Sequence, residues 1–480
     1  MHSPVPSAPP KHELRRNAVG ARHLVFFVVA AAAPLTVSAG FLPLGFLVGG
    51  TMLPAAFVIA GVAYAIFSVG FTAMSRHVTD AGAFSAFIEQ GLGRTAGSGA
   101  AMVAWAGYTL GQVGFTAAAG FFASSFLERF LSVHVAWGVC ATVIGVAVTA
   151  ISYTKIDLGA RVAAFLLLLE ISVLLVFVVA VWVHGGPEGT PWSVFSPSAW
   201  DVPALGGTFL VSFLVFVGFE QTAVYSEEVH NAGRAVRTAT YWAVGVLTVI
   251  YLAAAFTILM AVGPSNLMAV LSGDPSQVVF DLNTSFVSAS MTDVMQLLVI
   301  TSFVAGALAL QNAGSRYLFS MSRRGLLHAS LCATSDAGTP RTAVLVQGGL
   351  VTAALIGFGC SSLDPYTQVV GWTNAPTLFA VLSLQIATSI AVIRWFSTRG
   401  AHDGNENLWE RIVAPAVSVV VLGVVLYLAV DNMGLLTGAG AIGNALIVSP
   451  LVIAFCAGAI RSYQTRHRTQ ETDDHTPAVA

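Results

Sequence analysis

Charge is the scarcest thing in this sequence. Of its 480 residues only 9% are charged, against roughly 25% in an ordinary soluble domain, and lysine occurs twice, as Lys11 and Lys155. A chain this poor in charge and 56% hydrophobic cannot hide its apolar surface in a single soluble core. The four cysteines, Cys140, Cys332, Cys360 and Cys456, have no metal-ligand spacing, so neither a zinc site nor a disulfide framework is expected. HExxH and GxSxG are missing and no paired aspartates lie within the apolar runs, which leaves an intramembrane enzyme without a nucleophile, base or metal, and no cofactor is expected. A net charge of −2 without a basic cluster gives nucleic acid nothing to bind. The alternating pattern of a membrane β-barrel is absent as well.

What the chain has is long apolar runs, matched to the roughly 20 residues a helix needs to cross a hydrocarbon core about 30 Å thick. They lie near 22–44, 51–74, 96–127, 134–153, 158–184, 203–228, 238–262, 288–322, 341–359, 366–394, 410–430 and 438–461. The fold class is therefore all-α and integral to the membrane, with about twelve transmembrane helices. Basic residues test that map, because loops rich in Lys and Arg stay cytoplasmic. They cluster before span one (Lys11, Arg15, Arg16, Arg22), between spans two and three (Arg76, Arg94), four and five (Lys155, Arg161), after six (Arg234, Arg237), around the eight-to-nine loop (Arg316, Arg323, Arg324, Arg341), the ten-to-eleven loop (Arg394, Arg399, Arg411) and the end (Arg461, Arg466, Arg468). Only Arg129 falls on the other face. Both termini are thus expected in the cytoplasm, as polar tails over residues 1–21 and 462–480 around a membrane domain of 22–461, with the first run an uncleaved anchor. Arg outnumbers Lys 19 to 2, the usage of a GC-rich bacterial genome, and a bacterial cytoplasmic membrane is the expected location.

The informative positions are defects in the apolar runs. Span one carries Pro34 at its middle, then Thr36, Ser38 and Gly40. Proline removes a backbone donor and crowds the preceding turn, and irregular backbone at that depth must be buried or line a wet cavity; the alternative is an ordinary proline kink. In span six Gly218 directly precedes Phe219 and the ionisable Glu220. A charged carboxylate at mid-bilayer costs roughly 2.5–3.5 kcal/mol, unless it stays protonated and serves only to join helices. Glu170 follows Arg161 by nine residues, about 13 Å along a helix, which also puts it near mid-membrane. Broken helices in corresponding positions of two halves point to an inverted-repeat secondary transporter.

Three blocks carry a resemblance. FVGFEQTAVYSEEVHNAGRAVRTATYWA (216–243), NAGSRYLFSMSRRGLLHASL (312–331) with GTPRTA (338–343), and DAGAFSAFIEQGLG (80–93) resemble, in order, the sixth-helix, eighth-helix and pre-helix-three signatures of the amino acid/polyamine/organocation (APC) superfamily of permeases. Ala232 and Arg237 stand for two loop prolines, Arg324 for the aspartate of RDG, His328 for its proline, and PLTVSAG for a Gly-Ser-Gly run in span one. The resemblance implies a LeuT-type fold: inverted five-helix repeats at about 22–184 and 203–394, broken helices 1 and 6, and peripheral helices at about 410–461. It further implies a midplane substrate, with its carboxylate on Thr36, Val37 and Ser38 and its amino group on the carbonyls of Ala33, Leu214 and Val217. Phe216 and Phe219, flanking Gly218, would be apolar walls and Tyr108 a gate, although plain helix packing is the preferred account of any aromatic here. Glu220 matches an acidic position used in proton-linked gating, and Glu170 falls where related permeases often have a lysine. A buried carboxylate there suits a proton or, as a hard oxygen ligand, a cation. Glu227 and Glu228 beside Arg234 read as a cytoplasmic gate or as a solvated helix end.

The function expected is an amino acid permease working by alternating access, coupled to protons in preference to sodium, as a monomer or homodimer in the lipid bilayer. The altered span-one segment keeps a polyamine or ethanolamine-like substrate as the alternative. A non-transporting ligand sensor is the alternative class, and it would need a soluble output domain that the short tail after Arg461 does not offer.

Overall fold

A computed structural model describes residues 33–78, 80, 82–154, 159–224, 229, 232–334, 339–399 and 406–474. They are almost entirely helical, as a chain that must satisfy its backbone without water requires. Helix α1 is a continuous composite over 34–49, formed by Pro34–Thr36, a π-type turn Val37–Phe41 and Leu42–Gly49. There follow α2 (Leu53–Met74), α3 (Arg94–Leu131), α4 (Trp137–Thr154), α5 (Gly159–His184) and α6 (Leu205–Leu214). The second half comprises α7 (Ala232–Val262), α8 (Ala289–Arg323), α9 (Arg341–Gly359), α10 (Val370–Arg399), α11 (Ala414–Asp431) and α12 (Ala441–Asp474). Helix α12 runs well past Arg461, so much of the expected C-terminal tail is helix.

Among the described residues eleven stretches are long and apolar enough to cross a membrane, and the first, Pro34–Met74, is 41 residues long. At 1.5 Å per residue that is about 60 Å, twice a hydrocarbon core. It is two passes. Gly50, at φ 61°, breaks it with a backbone conformation that glycine adopts freely, and the neighbours on α6 show the reversal. The Thr208 hydroxyl donates to the Gly49 carbonyl (3.0 Å), while further along α6 the Phe213 carbonyl accepts from Tyr64 (3.0 Å). Val37 lies by Leu214 and Val217, and Phe67 packs on Phe219 at 6.1 Å. Along α6 the residue numbers fall as α1 advances and rise as α2 advances, so α1 is antiparallel to α6 and α2 parallel to it. The described residues thus supply twelve membrane-crossing helices.

Helix α3 is the hub, packing on α4, α8, α10 and α12. A chain of carboxamides crosses from it to α9 and α8. The Trp105 indole donates to Gln347 Oε1 (2.9 Å), Gln347 Nε2 to Gln112 Oε1 (2.8 Å), Gln112 Nε2 to Gln311 Oε1 (2.6 Å), and Gln311 Nε2 to the Val344 carbonyl (2.9 Å). In a medium without water such a chain is stable only because each amide in it has a partner, and it ties three helices together.

Loops from distant parts of the chain meet at one end. Arg324 donates to Glu89 (2.7 Å) and Asp80 (3.0 Å), Arg94 to the Arg324 carbonyl (3.4 Å), and Arg461 to the Leu326 carbonyl (3.3 Å). The arginine at the aspartate position of the loop signature therefore clamps the acidic pre-α3 segment. Nearby, Arg76 reaches Glu406 (3.5 Å) and Glu410 (3.3 Å), and His77 lies 3.0 Å from Glu406. Arg129 pairs at the opposite end with Asp293 (3.2 Å), so the single outlier of the charge distribution is also opposite in space.

Burial opposes the charge on Glu406, but the hydrogen bond from His77, its own backbone amide and the neighbouring His77 and Arg76 outweigh it and hold this carboxyl below its ordinary range. A depressed folded pKa contributes stability above the unfolded pKa, about 4.3, and loses it as pH falls through the folded value. Glu406→Gln should destabilise the protein at pH 7 by about 1–2 kcal/mol, and the gap to wild type should close as thermal unfolding is followed from neutral pH into the acid range. A gap that stays constant with pH would refute the ionic account.

Candidate functional site

The start of α1 and an interruption after α6 face each other across the bundle. At the first, Ala33 sits in the left-handed region (φ 47°) and Pro34 opens α1, where its missing amide costs nothing. The next amides are taken by the chain's own side chains. Leu35 donates to the Glu170 carboxylate; Thr36 donates to Ser302 Oγ (3.3 Å), whose hydroxyl donates to Glu170 Oε2 (2.8 Å). Val37 donates to the Ala33 carbonyl (3.1 Å), and the Ser38 hydroxyl to the Pro34 carbonyl (2.8 Å). Glu170, on α5, is 4% exposed and thus caps the positive end of a helix from outside it. Thr36 Oγ1 is buried without a partner.

The second interruption follows α6. Gly218 at φ 120° turns the chain into a 3-10 segment, Phe219–Ala223, in a conformation a side chain would strain. Its amide donates to Glu220 Oε2 (2.9 Å), and the Tyr108 hydroxyl of α3 donates to Oε1 (2.7 Å). Glu220 is 1% exposed. The Leu214 carbonyl accepts from the Val217 amide (2.9 Å), whereas the carbonyls of Val215 and Val217 accept no backbone amide among the described residues.

Between the breaks lies a cavity of about 20 Å³, room for a single water. Val37, Leu214 and Val217, named from the sequence, line it; so do Phe41, Gly111, Phe115, Val215, Gln221, Leu310, Asn374 and Thr377, which the sequence did not single out. Asn374 is 1% exposed; its Nδ2 donates to the Val370 carbonyl (2.9 Å), which fixes the amide orientation and leaves Oδ1 without a partner. A signal for it did exist, since WTNAPT sets an amide beside Pro376 inside an apolar run and polar groups at membrane depth are functional candidates.

Other expected residues fall elsewhere. Phe216 and Phe219 turn from the cavity into an aromatic cluster, with ring centroids 5.2 and 5.0 Å from Tyr64, and Phe216 is 5.5 Å from Tyr251. Tyr108 braces Glu220 and packs its ring on Tyr317 at 5.7 Å. Ala33, Thr36, Ser38 and Gly218 form the backbone of the breaks rather than the cavity wall. Arg234 is exposed in the first turn of α7, while Glu227 and Glu228 lie outside the described residues. Among the described residues no cluster of three or more His, Cys, Asp or Glu is placed to hold a metal.

The family model for amino acid permeases matches residues 23–459. The chain is similar to the branched-chain amino acid permease BcaP of Bacillus subtilis (strain 168), 27% identical over 254 residues, 52% of this chain and 51% of that one. It is similar to the methylthioribose transporter of the same organism, 25% identical over 287 residues, 60% and 58% of the two chains. An uncharacterized transporter of Legionella pneumophila is 28% identical over 201 residues, 41% of each chain. The chain spans about half the length of the curated relatives it matches.

The bond from Tyr108 to Glu220 joins α3 to the break after α6 in a buried setting. Tyr108→Phe should cost about 1.5–3 kcal/mol of stability, the range for a hydrogen bond to a charged acceptor, measured as a fall in unfolding temperature in detergent. In a Glu220→Gln background the same change should cost markedly less; equal losses would mean that the hydroxyl does not act through Glu220.

Proposed function

The chain belongs to the amino acid permease family, and from that premise we propose that it moves a small amino compound, in the first instance an amino acid, across the membrane by alternating access, driven by protons. One observation carries the reading: each helix break is closed by a buried carboxyl, Glu170 at one and Glu220 at the other, and among the described residues no Lys or Arg is buried to neutralise them. A carboxylate in such surroundings pays a desolvation penalty of several kcal/mol that a proton or a cationic ligand removes. Glu170 is the coupling group of this proposal. Ionised, it accepts from Leu35 and Ser302 and so holds α5, α8 and the start of α1 together. Protonated, it accepts more weakly, and α1 is freer to move against the α3, α8 and α9 scaffold. Glu220 does the same for α6 against α3 through Tyr108.

The antiparallel placement of α1 and α6 supports the reading of two inverted five-helix repeats, with α11 and α12 peripheral. The gathering of the arginine-rich loops at one end supports placing that end, and both termini, in the cytoplasm. Glu227, Glu228 and Arg234 lie in sequence at that same end, where we place the cytoplasmic gate. A cavity of about 20 Å³ holds no amino acid, so loading requires the walls from α1, α3, α6 and α10 to part, the kind of motion alternating access supplies.

Purified protein in vesicles should accumulate a radiolabelled amino acid when an inward proton gradient is imposed. With Glu170→Gln, exchange of substrate across the membrane should persist within about threefold of wild type, while accumulation driven by pH disappears. Accumulation by that variant equal to wild type would remove Glu170 from coupling. Accumulation that follows a sodium gradient and ignores pH would replace the proton by sodium.

A further inference from the structure

A helix end inside a membrane offers free amides, and free amides are the natural seat of a carboxylate. Here both such ends are already occupied. At α1 the Leu35 amide donates to Glu170 and the Thr36 amide reaches the same carboxylate through Ser302, while the Val37 amide is held by the Ala33 carbonyl. At the other break the Gly218 amide donates to Glu220. The residues that line the cavity between them carry unfilled acceptors instead. Asn374 Oδ1 is buried, unpartnered and fixed in orientation by its own amide nitrogen, and the Val215 and Val217 carbonyls accept no backbone amide among the described residues. The remaining wall is apolar apart from Gln221 and Thr377, and the Thr377 hydroxyl donates to the Thr373 and Gly107 carbonyls. A site built of acceptors between two carboxyls recognises a donor, and a cation better than a neutral one.

Resting on the transport reading above, we propose that this site recognises its substrate through the ammonium group and not through a carboxylate, Glu170 and Glu220 holding the positions a substrate carboxylate would take, so that primary amines without a carboxylate are substrates alongside amino acids. The ammonium donates to Asn374 Oδ1 and the freed carbonyls after α6, and the apolar wall of Val37, Phe41, Phe115 and Leu310 receives the hydrocarbon part.

Matched probes test it. For each amino acid bound by the reconstituted wild-type protein, the decarboxylated amine and the deaminated acid are compared, for example leucine, isoamylamine and isocaproate, by thermal stabilisation and by competition against labelled uptake. The amine should bind within about threefold of the parent amino acid and the acid at least about thirtyfold more weakly. Glu170→Ala, which vacates the Leu35 amide and the Ser302 hydroxyl, should shift the preference toward the amino acid over the amine by about tenfold. Amino acids that bind and are moved while their amines are weaker by more than about tenfold would overturn this inference and leave the transport reading standing. If neither amino acids nor amines are bound or moved, the transport reading falls and this inference with it. The comparison on unmodified protein decides the matter even where Glu170→Ala does not fold, and an Asn374→Ala variant that keeps full amine affinity would remove Asn374 from recognition.

Discussion

A helix end inside hydrocarbon leaves amides or carbonyls with no water to satisfy them, at several kcal/mol for each, and the rest of this structure follows from how that debt is met. In both cases a glutamate from outside or just beyond the break closes the amide end. Glu170 arrives from α5 and recruits Ser302 of α8; Glu220 folds back on Gly218 and recruits Tyr108 of α3. Each break is thereby fastened to helices far away in sequence. The side chains that make an irregular backbone tolerable are the same ones to which the proposed function assigns the proton.

The surroundings divide accordingly. Helices α3, α8 and α9 are joined by a run of carboxamides, Gln112, Gln311 and Gln347, in which the polar groups satisfy one another and carry no charge. Such a network has no titratable member, so it has no reason to loosen with pH. The contacts that hold α1 and α6 against that scaffold pass through ionisable groups. An uncharged part and an ionisable part thus differ in chemistry as well as in position, and Arg324, clamping Asp80 and Glu89 at one end, adds a charged tie where solvent is near and Coulomb terms are weaker.

Much of this was legible in the sequence because the membrane penalises exceptions so heavily. Pro34, Gly218, Glu170 and Glu220 stand out against apolar runs, and each proves to lie at or beside a break. What the sequence did not convey is direction. Phe216 and Phe219 flank Gly218 and so looked like cavity walls, but the turn at φ 120° sends them to Tyr64 and Tyr251. Asn374 was passed over because an amide in an apolar helix reads the same whether it meets another helix, as Gln112 and Gln347 do, or a cavity. The seat expected for a substrate carboxylate at Thr36 to Ser38 presumed free amides; nothing in the linear chain revealed that Ser302, bonded to a Glu170 some 130 residues before it, would take the Thr36 amide.

The sign of position 170 has a consequence beyond that one contact. A lysine there, as the resemblance implies for related permeases, would bring a positive charge to the opening of α1 and welcome an anion. A glutamate brings a negative one. At an effective dielectric of about 20, a unit charge roughly 8 Å from a carboxylate gains or loses about 2 kcal/mol, so a cation and an anion of the same shape differ by about 4 kcal/mol, a preference of some thousandfold. Protonation of the carboxyl erases that preference, so occupancy by a cation and occupancy by a proton oppose each other at Glu170. In the proposed uptake cycle the ammonium is then held by Asn374 Oδ1 and the carbonyls after α6 while Glu170 carries the proton. Glu220, whose two oxygens are both engaged by fixed donors, is the second buried carboxyl able to hold it.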